Sequence, residues 1–110
     1  MNPLIVNFEK MLAAGKDTPL LRFGLGNAYL AAGDAASAAT HLKRAVEQKP
    51  DYSAAWKLLG KALATADDRI GAIEAYRHGI EVAEKTGDKQ AMKEMKVFVT
   101  RLERSEPEGR

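Results

Sequence analysis

The sequence contains no cysteine, which excludes disulfide bonds, thiolate metal ligands and a cysteine nucleophile. Aromatic residues make up only 6% of the 110 residues. No apolar run is long enough to span a bilayer, and the first residues lack the basic stretch and apolar core of a secretory signal. We therefore expect a cytoplasmic protein that does not associate with a membrane.

Charge of one sign is also lacking, because 17 basic and 15 acidic side chains leave a formal net charge of +2. Such a balance does not favour nucleic-acid binding unless the cations are clustered. Apolar residues make up 45% of the chain, and its Ala, Leu, Glu and Lys favour helix over strand. The length leaves room for one domain, which we expect to be all-α.

Apolar spacing and helix-boundary residues predict six helices. Thr18 before Pro19 is typical of a helix start, and Gly15 and Gly33 suit the left-handed residue that follows a helix. Further predicted caps are Asp34, Asp51 and either Asp67 or Asp68. The predicted helices span about residues 3–14, 19–32, 35–48, 52–65, 69–85 and 88–104. Residues 105–110 offer nothing apolar to bury, so we expect a disordered tail.

A short pattern occurs twice. Leu25, Gly26 and Tyr29 return 34 residues later as Leu59, Gly60 and Leu63. A period of this size is typical of a solenoid, in which each helical hairpin buries its apolar face against its neighbours. Because two helices approach closely only where a small residue faces the partner, we expect Gly26 to lie opposite Ala38 and Gly60 opposite Ala72. The repeat pattern gives no account of Gly24.

The two copies, residues 19–52 and 53–86, resemble the tetratricopeptide repeat family, whose signature is W-x2-L-G-x2-Y, then A-x3-F, then a proline. The first copy has Arg22 where the family has tryptophan, and the second has Glu84 in place of the proline. The matching positions are Leu25, Gly26, Tyr29, Ala38, Leu42, Ala45 and Pro50, then Trp56, Leu59, Gly60, Leu63, Ala72, Tyr76 and Gly79. The resemblance covers about residues 4–103.

The flanking helices fit the same frame. Leu4, Phe8 and Met11 precede the equivalent residues of the third helix by 34 positions, so the first helix is predicted to be the second half of a repeat. In the last helix Lys96 takes the position of the repeat glycine, and a lysine there would block a further helix. The expected fold is a short right-handed α-α superhelix. It has two hairpins between a half-repeat and a capping helix, in one domain of residues 1–104.

Few residues could carry chemistry. His41 and His78 lie among basic residues, and neither has a second His or Cys within helical reach, so we expect no metal site. Asp67 and Asp68 are better explained as caps at a helix start. The serines and threonines lack partners at a recognisable triad spacing, although distant residues can also assemble a triad. No phosphate-binding loop is present. We expect neither an enzyme nor a cofactor.

The resemblance implies a concave groove, lined by the first helix of each hairpin, that holds a peptide or a partner helix. By position, the groove residues are Phe23, Asn27, Leu30, Lys57, Lys61, Ala64, Lys93, Val97 and Arg101. Lys57, Lys61 and Lys93 would form a basic strip, and Phe23 would be an apolar wall. We hypothesise that the groove recognises an acidic peptide. The alternative is that these lysines are a solvated helix face.

Three alternatives to an acidic-peptide groove differ in how well the sequence supports them. Chaperone-binding members of the family hold a carboxylate with a five-residue clamp, but of the corresponding residues only Asn27 matches; the five are Phe23, Asn27, Leu58, Gln90 and Glu94. Self-association or assembly through the terminal helices stays open, with Ile5 or Val6 exposed on the first helix. We expect a monomer or a weak homodimer. RNA binding has little support, because the aromatic residues mostly take core motif positions.

Overall fold

The computed structural model describes residues 2–105, and within that range it contains six helices and no strand. The helices are α1 (Pro3–Ala13), α2 (Pro19–Ala31), α3 (Ala35–Gln48), α4 (Ser53–Thr65), α5 (Arg69–Thr86) and α6 (Lys89–Arg104). Each helix end differs from its predicted position by at most one residue. The predicted all-α fold class is therefore confirmed. The predicted disordered tail lies, apart from Ser105, outside the described residues.

Side chains cap every helix start except that of α4. The capping oxygens, which accept backbone N–H bonds of the first turn, belong to Asn2, Thr18, Asp34, Asp68 and Asp88. The prediction that Asp51 caps α4 is wrong. Its carboxylate accepts a hydrogen bond from Lys49 Nζ at 2.9 Å, and the residue at the cap position is Tyr52.

The turns inside the two hairpins share a left-handed backbone residue. Gly33, between α2 and α3, has a φ of 87°, as predicted for a helix stop. Asp67 stands 34 residues later, between α4 and α5, and its φ is 64°. Aspartate is among the side chains that tolerate this region, so both repeats turn in the same way with different residues.

The helices stack in chain order, each packing against the next, and α2 also contacts α4, as α4 contacts α6. The stack measures 46 × 33 × 19 Å. Leu42 of α3 is fully buried, and it packs with residues of α4, α5 and α6 in one continuous core. Because successive first helices of the repeats touch, α2, α4 and α6 form one shared face.

The two repeat glycines allow close helix crossings, but the partner residues differ from those predicted. A Cβ atom on Gly26 would lie 2.4 Å from Leu42 Cγ, and one on Gly60 would lie 2.4 Å from Tyr76 Cε1. The nearest atoms thus belong to large side chains rather than to Ala38 or Ala72. The glycine provides space that a large residue of the second helix fills, and the alanines sit one turn earlier on that helix.

Gly24, which the sequence left unexplained, makes room for α1. A Cβ atom at this position would lie 3.1 Å from Cε2 of the Phe8 ring. The ring of Phe8 therefore reaches the α2 backbone and helps α1 pack against the first hairpin.

The outer side of α1 is open. Leu4 and Met11 are 49% and 41% exposed, whereas the equivalent Ala38 and Ala45 of α3 are 0% exposed. In α3 this face is covered by the first helix of its own hairpin, whereas among residues 2–105 the only helix that packs closely against α1 is α2. The predicted exposure of Ile5 is wrong, because Ile5 lies on the buried side of α1 and is 5% exposed.

We predict that Gly60→Ala destabilises the protein more than Gly24→Ala. Both changes gain the same helix propensity, on the order of 1 kcal/mol. At Gly60 the added methyl group meets the ring of Tyr76, which is held in the core, and such overpacking costs about 1–3 kcal/mol. At Gly24 it meets only the edge of the half-buried Phe8 ring, which has room to shift. Urea unfolding monitored by circular dichroism measures both free energies. Equal values would show that the α4–α5 crossing is not tight.

Candidate functional site

The shared face of α2, α4 and α6 contains two depressions that meet at Lys61. The first, about 290 Å³, lies between α2 and α4 and is lined by Asn27, Leu30, Ala31, Lys61 and Thr65. The second, about 510 Å³, lies between α4 and α6 and is lined by Lys57, Leu58, Lys61, Tyr76, Glu94 and Phe98. Both depressions open on the shared face, and we call the residues of the two together the groove.

The larger depression has an apolar floor. Tyr76 is only 4% exposed, and its ring centroid lies 5.3 Å from that of Phe98. Leu58 completes the apolar wall from the α4 side. A depression of this size and character suits one large apolar side chain of a ligand.

The basic strip predicted along the groove is partly neutralised. Lys57 Nζ donates a hydrogen bond to Glu94 Oε1 at 2.6 Å, which joins α4 to α6. The Lys57 ammonium, helped by the Gln90 amide, holds the pKa of Glu94 below its ordinary value. Lys57 therefore faces a carboxylate of its own chain instead of standing free for a ligand.

Lys61 differs from Lys57. Its side chain is exposed, and it has no ion-pair partner among residues 2–105. Asn27, also exposed, lines the neighbouring depression together with Lys61. These two polar side chains stand between apolar surfaces, where they can meet a carboxylate or a peptide group of a ligand.

Three of the predicted groove residues serve mainly to pack helices. The ring of Phe23 stacks on Tyr52 at a centroid distance of 5.2 Å, so Phe23 is half-buried instead of forming an open pocket wall. Leu30 and Ala64 are also half-buried and pack against the core. Of the three, Leu30 also lines a depression of the groove.

The structure separates the α6 residues from this groove. Lys93, Val97 and Arg101 are exposed on the outer side of α6. Val97 and Arg101 line another depression, together with Lys96, Thr100 and Arg104. The predicted site is thus divided: Asn27, Leu30, Lys57 and Lys61 come together, and the α6 residues form a second surface.

Behind the groove, a polar junction fastens α1 and the loop after it to the first hairpin. Arg22 Nε donates to Asp17 Oδ1 at 2.7 Å, and Tyr29 Oη donates to Glu9 Oε2 at 2.5 Å. Nδ1 of His41 lies 3.1 Å from Arg22 Nη1, which can only donate, so Nδ1 accepts this hydrogen bond. The proton of the neutral ring therefore belongs on Nε2, which lies 3.5 Å from Glu9 Oε2. At the position where the family has tryptophan, Arg22 therefore joins the loop after α1 to the first hairpin by polar contacts with Asp17 and His41.

The junction also shifts the ionisation of its members. Hydrogen bonds, first from Arg22 and then from Gln48, hold the pKa of Asp17 well below its usual range. The bond to Glu9 raises the pKa of Tyr29 to about 12. Burial lowers the pKa of His41, which favours the neutral ring. These pKa shifts are explained by hydrogen bonds and burial within the fold. None of the junction residues lines either depression of the groove.

The remaining chemistry-bearing side chains are also occupied by the fold. The ring of His78 stacks on Trp56 at a centroid distance of 5.0 Å. Across residues 2–105 no three His, Asp or Glu side chains converge as a metal ion would need. None of the helices in that range has the length and hydropathy to cross a membrane.

Sequence reasoning missed the apolar floor of the groove. In the sequence, Leu58 and Glu94 are notable only as positions that lack the clamp residues, and Tyr76 matches a core position of the repeat motif. Phe98 was not singled out, although it follows Glu94 by one turn and so lies on the same side of α6. That spacing is the signal that could have found it once α4 and α6 were placed side by side.

Known proteins are similar to this chain in sequence and in fold. A model of the tetratricopeptide repeat family matches residues 5–83. A TPR repeat-containing protein of Pseudomonas aeruginosa is 58% identical over 102 residues, which cover 93% of this chain and 97% of that protein. A heat-shock protein cognate co-chaperone of Aspergillus fumigatus is 37% identical over 86 residues, which cover 78% of this chain and 25% of the co-chaperone. A Bordetella parapertussis protein whose solution structure is known is 43% identical in sequence to this chain, and the two structures superpose with a TM-score of 0.80. The matched region covers 94% of this chain and 90% of the Bordetella protein.

We predict that Lys57→Met raises the pKa of Glu94 towards its ordinary value, because the change removes the hydrogen bond that does most to lower it. The folded-state pKa lies below the unfolded one, so the pair stabilises the protein above the unfolded pKa. This stabilisation is lost as the pH falls through the folded-state pKa. Carbon-13 NMR titration of the glutamate carboxyls measures the shift. Lys61→Met is the matched control and should leave the titration of Glu94 unchanged; equal titrations in both variants would contradict the pairing.

Proposed function

This chain belongs to the tetratricopeptide repeat family, and we propose that it is a protein-binding module that holds a peptide or a partner helix in the groove of α2, α4 and α6. Helical repeats of this kind expose the first helices of successive hairpins along one face, and this is the face that carries both depressions. The module acts as a cytoplasmic scaffold without enzymatic activity of its own, and its partner is a protein rather than a nucleic acid or a membrane.

The ligand chemistry follows from the place of Lys61. This exposed cation without an ion-pair partner in the described chain stands where the two depressions meet. A ligand with an acidic side chain or a terminal carboxylate beside a large apolar residue would pair with Lys61 and fill the depression over Tyr76 and Phe98. Charge would set the orientation of the ligand, and apolar burial would supply most of the affinity.

This chain lacks the carboxylate clamp by which the chaperone-binding members hold their ligands. The Aspergillus relative is a co-chaperone, yet in this chain the corresponding positions include Phe23, stacked on Tyr52, and Glu94, paired with Lys57. A carboxylate at a clamp position repels the carboxylate that the clamp holds. We therefore propose an acidic partner bound at Lys61 rather than a chaperone tail bound by the clamp.

Binding should depend on Lys61. We expect an acidic peptide with a leucine next to a glutamate to bind the wild type, and Lys61→Glu to weaken its affinity by about tenfold. Isothermal titration calorimetry measures the affinities. Lys10→Glu on α1 makes the same charge change away from the groove and should keep the affinity within about twofold.

The same peptide with glutamine in place of its glutamate separates charge from apolar contact. It should bind the wild type and Lys61→Glu with similar, weaker affinities. If the acidic peptide binds the wild type and Lys61→Glu equally well, the groove is not its site.

The open face of α1 favours a second function, which is self-association through the first helix. Leu4 and Met11 are exposed at positions whose α3 equivalents are fully buried, so this face has the character of a helix–helix contact without its partner. A second copy with its own α1 in the reverse direction would cover both side chains symmetrically. The expected assembly is a weak homodimer, because the patch contains few large side chains.

We predict that Leu4→Glu with Met11→Glu makes the protein strictly monomeric. Size-exclusion chromatography with light scattering should show a concentration-dependent dimer for the wild type, because pairing buries both side chains. Ile70→Glu is the control, since Ile70 is exposed on α5, away from α1, and its replacement should leave the dimer intact. A wild type that remains monomeric at a concentration of about 1 mM would rule out this function.

A further inference from the structure

The outer side of α6 carries positively charged side chains along its whole length. On a helical projection these side chains lie within one half of the helix surface, opposite the buried Met95 and Val99. All are exposed, and none has an ion-pair partner in the described part of the chain. We call this surface the basic face; its cations are Lys89, Lys93, Lys96, Arg101 and Arg104.

The acidic residues of α6 do not offset this charge. The helix contains two, and each is turned towards the stack and paired there: Glu94 with Lys57 of α4, and Glu103 with Arg77 of α5. Each pair uses an acid of α6 to neutralise a cation of another helix. Among the residues of α6, the basic face therefore has five cations and no anion.

An apolar side chain lies in the middle of the basic face. Val97 is 47% exposed and lines a depression of about 300 Å³ together with Lys96, Thr100, Arg101 and Arg104. An apolar centre inside a charged rim is the arrangement of a protein interface. A surface that serves only to keep the end of a solenoid in solution needs polarity, but it does not need charges of one sign.

We propose that the basic face binds an acidic helical segment of a partner protein. The cations extend over 15 helical steps, about 22 Å, so a partner helix of about four turns would match their length. Its glutamates or aspartates would pair with the five cations, and one apolar residue would cover Val97. This site is distinct from the groove, where the ligand meets Lys61.

The structure favours a protein over the other anionic macromolecules. Single-stranded nucleic acid binds on exposed aromatic rings, and the one aromatic residue of α6, Phe98, is turned towards Tyr76. A helix that lies on a membrane inserts an apolar face, and the apolar face of α6 is buried in the stack. Neither stacking nor insertion is available on the basic face, whereas pairing of charges around Val97 is.

The test uses a 16-residue helical peptide with glutamates along one face and one leucine at its centre, and a second peptide with glutamine at every glutamate position. The full chain should bind the acidic peptide and not the glutamine peptide, as measured by fluorescence anisotropy. Binding should weaken steeply between about 50 mM and about 500 mM NaCl, because exposed charges are screened.

Charge reversal locates the site. Lys96→Glu with Arg101→Glu should weaken binding by about tenfold or more. Lys10→Glu with Lys85→Glu lowers the net charge equally on α1 and α5 and should leave the affinity within about twofold. Val97→Ser keeps every charge and should weaken binding by a smaller factor. Circular dichroism confirms that each variant folds.

Three results would overturn the proposal. The first is no binding of the acidic peptide to the wild type at low salt. The second is equal loss of affinity in the two charge-reversed pairs. The third is equally tight binding of single-stranded RNA or of phosphatidylserine vesicles, which would make the basic face a general anion surface. Lys61→Glu should leave the affinity of this peptide within about twofold, so failure here is separable from failure of the groove.

Discussion

The close approach of a large side chain to a glycine backbone underlies the whole stack. Leu42 fills the space over Gly26, Tyr76 that over Gly60, and Met95 lies against Gly79 in the same manner. Each contact brings two helices nearer than any side chain on the glycine would allow. The three contacts join α2 to α3, α4 to α5 and α5 to α6.

The groove depends on these same contacts. Tyr76 fills the space at Gly60, and the exposed part of its ring also forms the floor of the larger depression. Met95 positions α6 against Gly79, which places Phe98 beside Tyr76 and Glu94 beside Lys57. Packing residues and ligand-facing residues are therefore the same side chains or immediate neighbours. A change in the core would alter the groove as well as the stability.

The two ends of the stack have opposite chemistry. At the first end α1 exposes Leu4 and Met11, and at the last end α6 exposes the basic face. An apolar face and a basic face do not complement each other, so copies of the chain would not join end to end into a filament. The groove lies between these ends. The fold thus offers three surfaces, and each is suited to a partner of different character.

The features that depend on nearby residues or on the repeat were predictable from the sequence, and the contacts between distant side chains were not. Helix ends depend on caps, glycines and apolar spacing within a few residues, and the 34-residue period carries the hairpin pattern; both are local, and both were predicted. The family followed from the same pattern. Asp51 was the exception: its carboxylate accepts a hydrogen bond from Lys49, and the cap position of α4 belongs to Tyr52.

The partners of individual side chains were decided by the tertiary structure alone. The contact of Gly26 with Leu42, the pairing of Lys57 with Glu94 and the stacking of Phe23 on Tyr52 each join two different helices or a helix and a loop. Such contacts depend on the angle and distance at which helices cross, and these are set by all the packed side chains together. The sequence by itself determined six helices and a repeat. Only the packed structure decided which groove lysine pairs with a carboxylate and which has no ion-pair partner among residues 2–105.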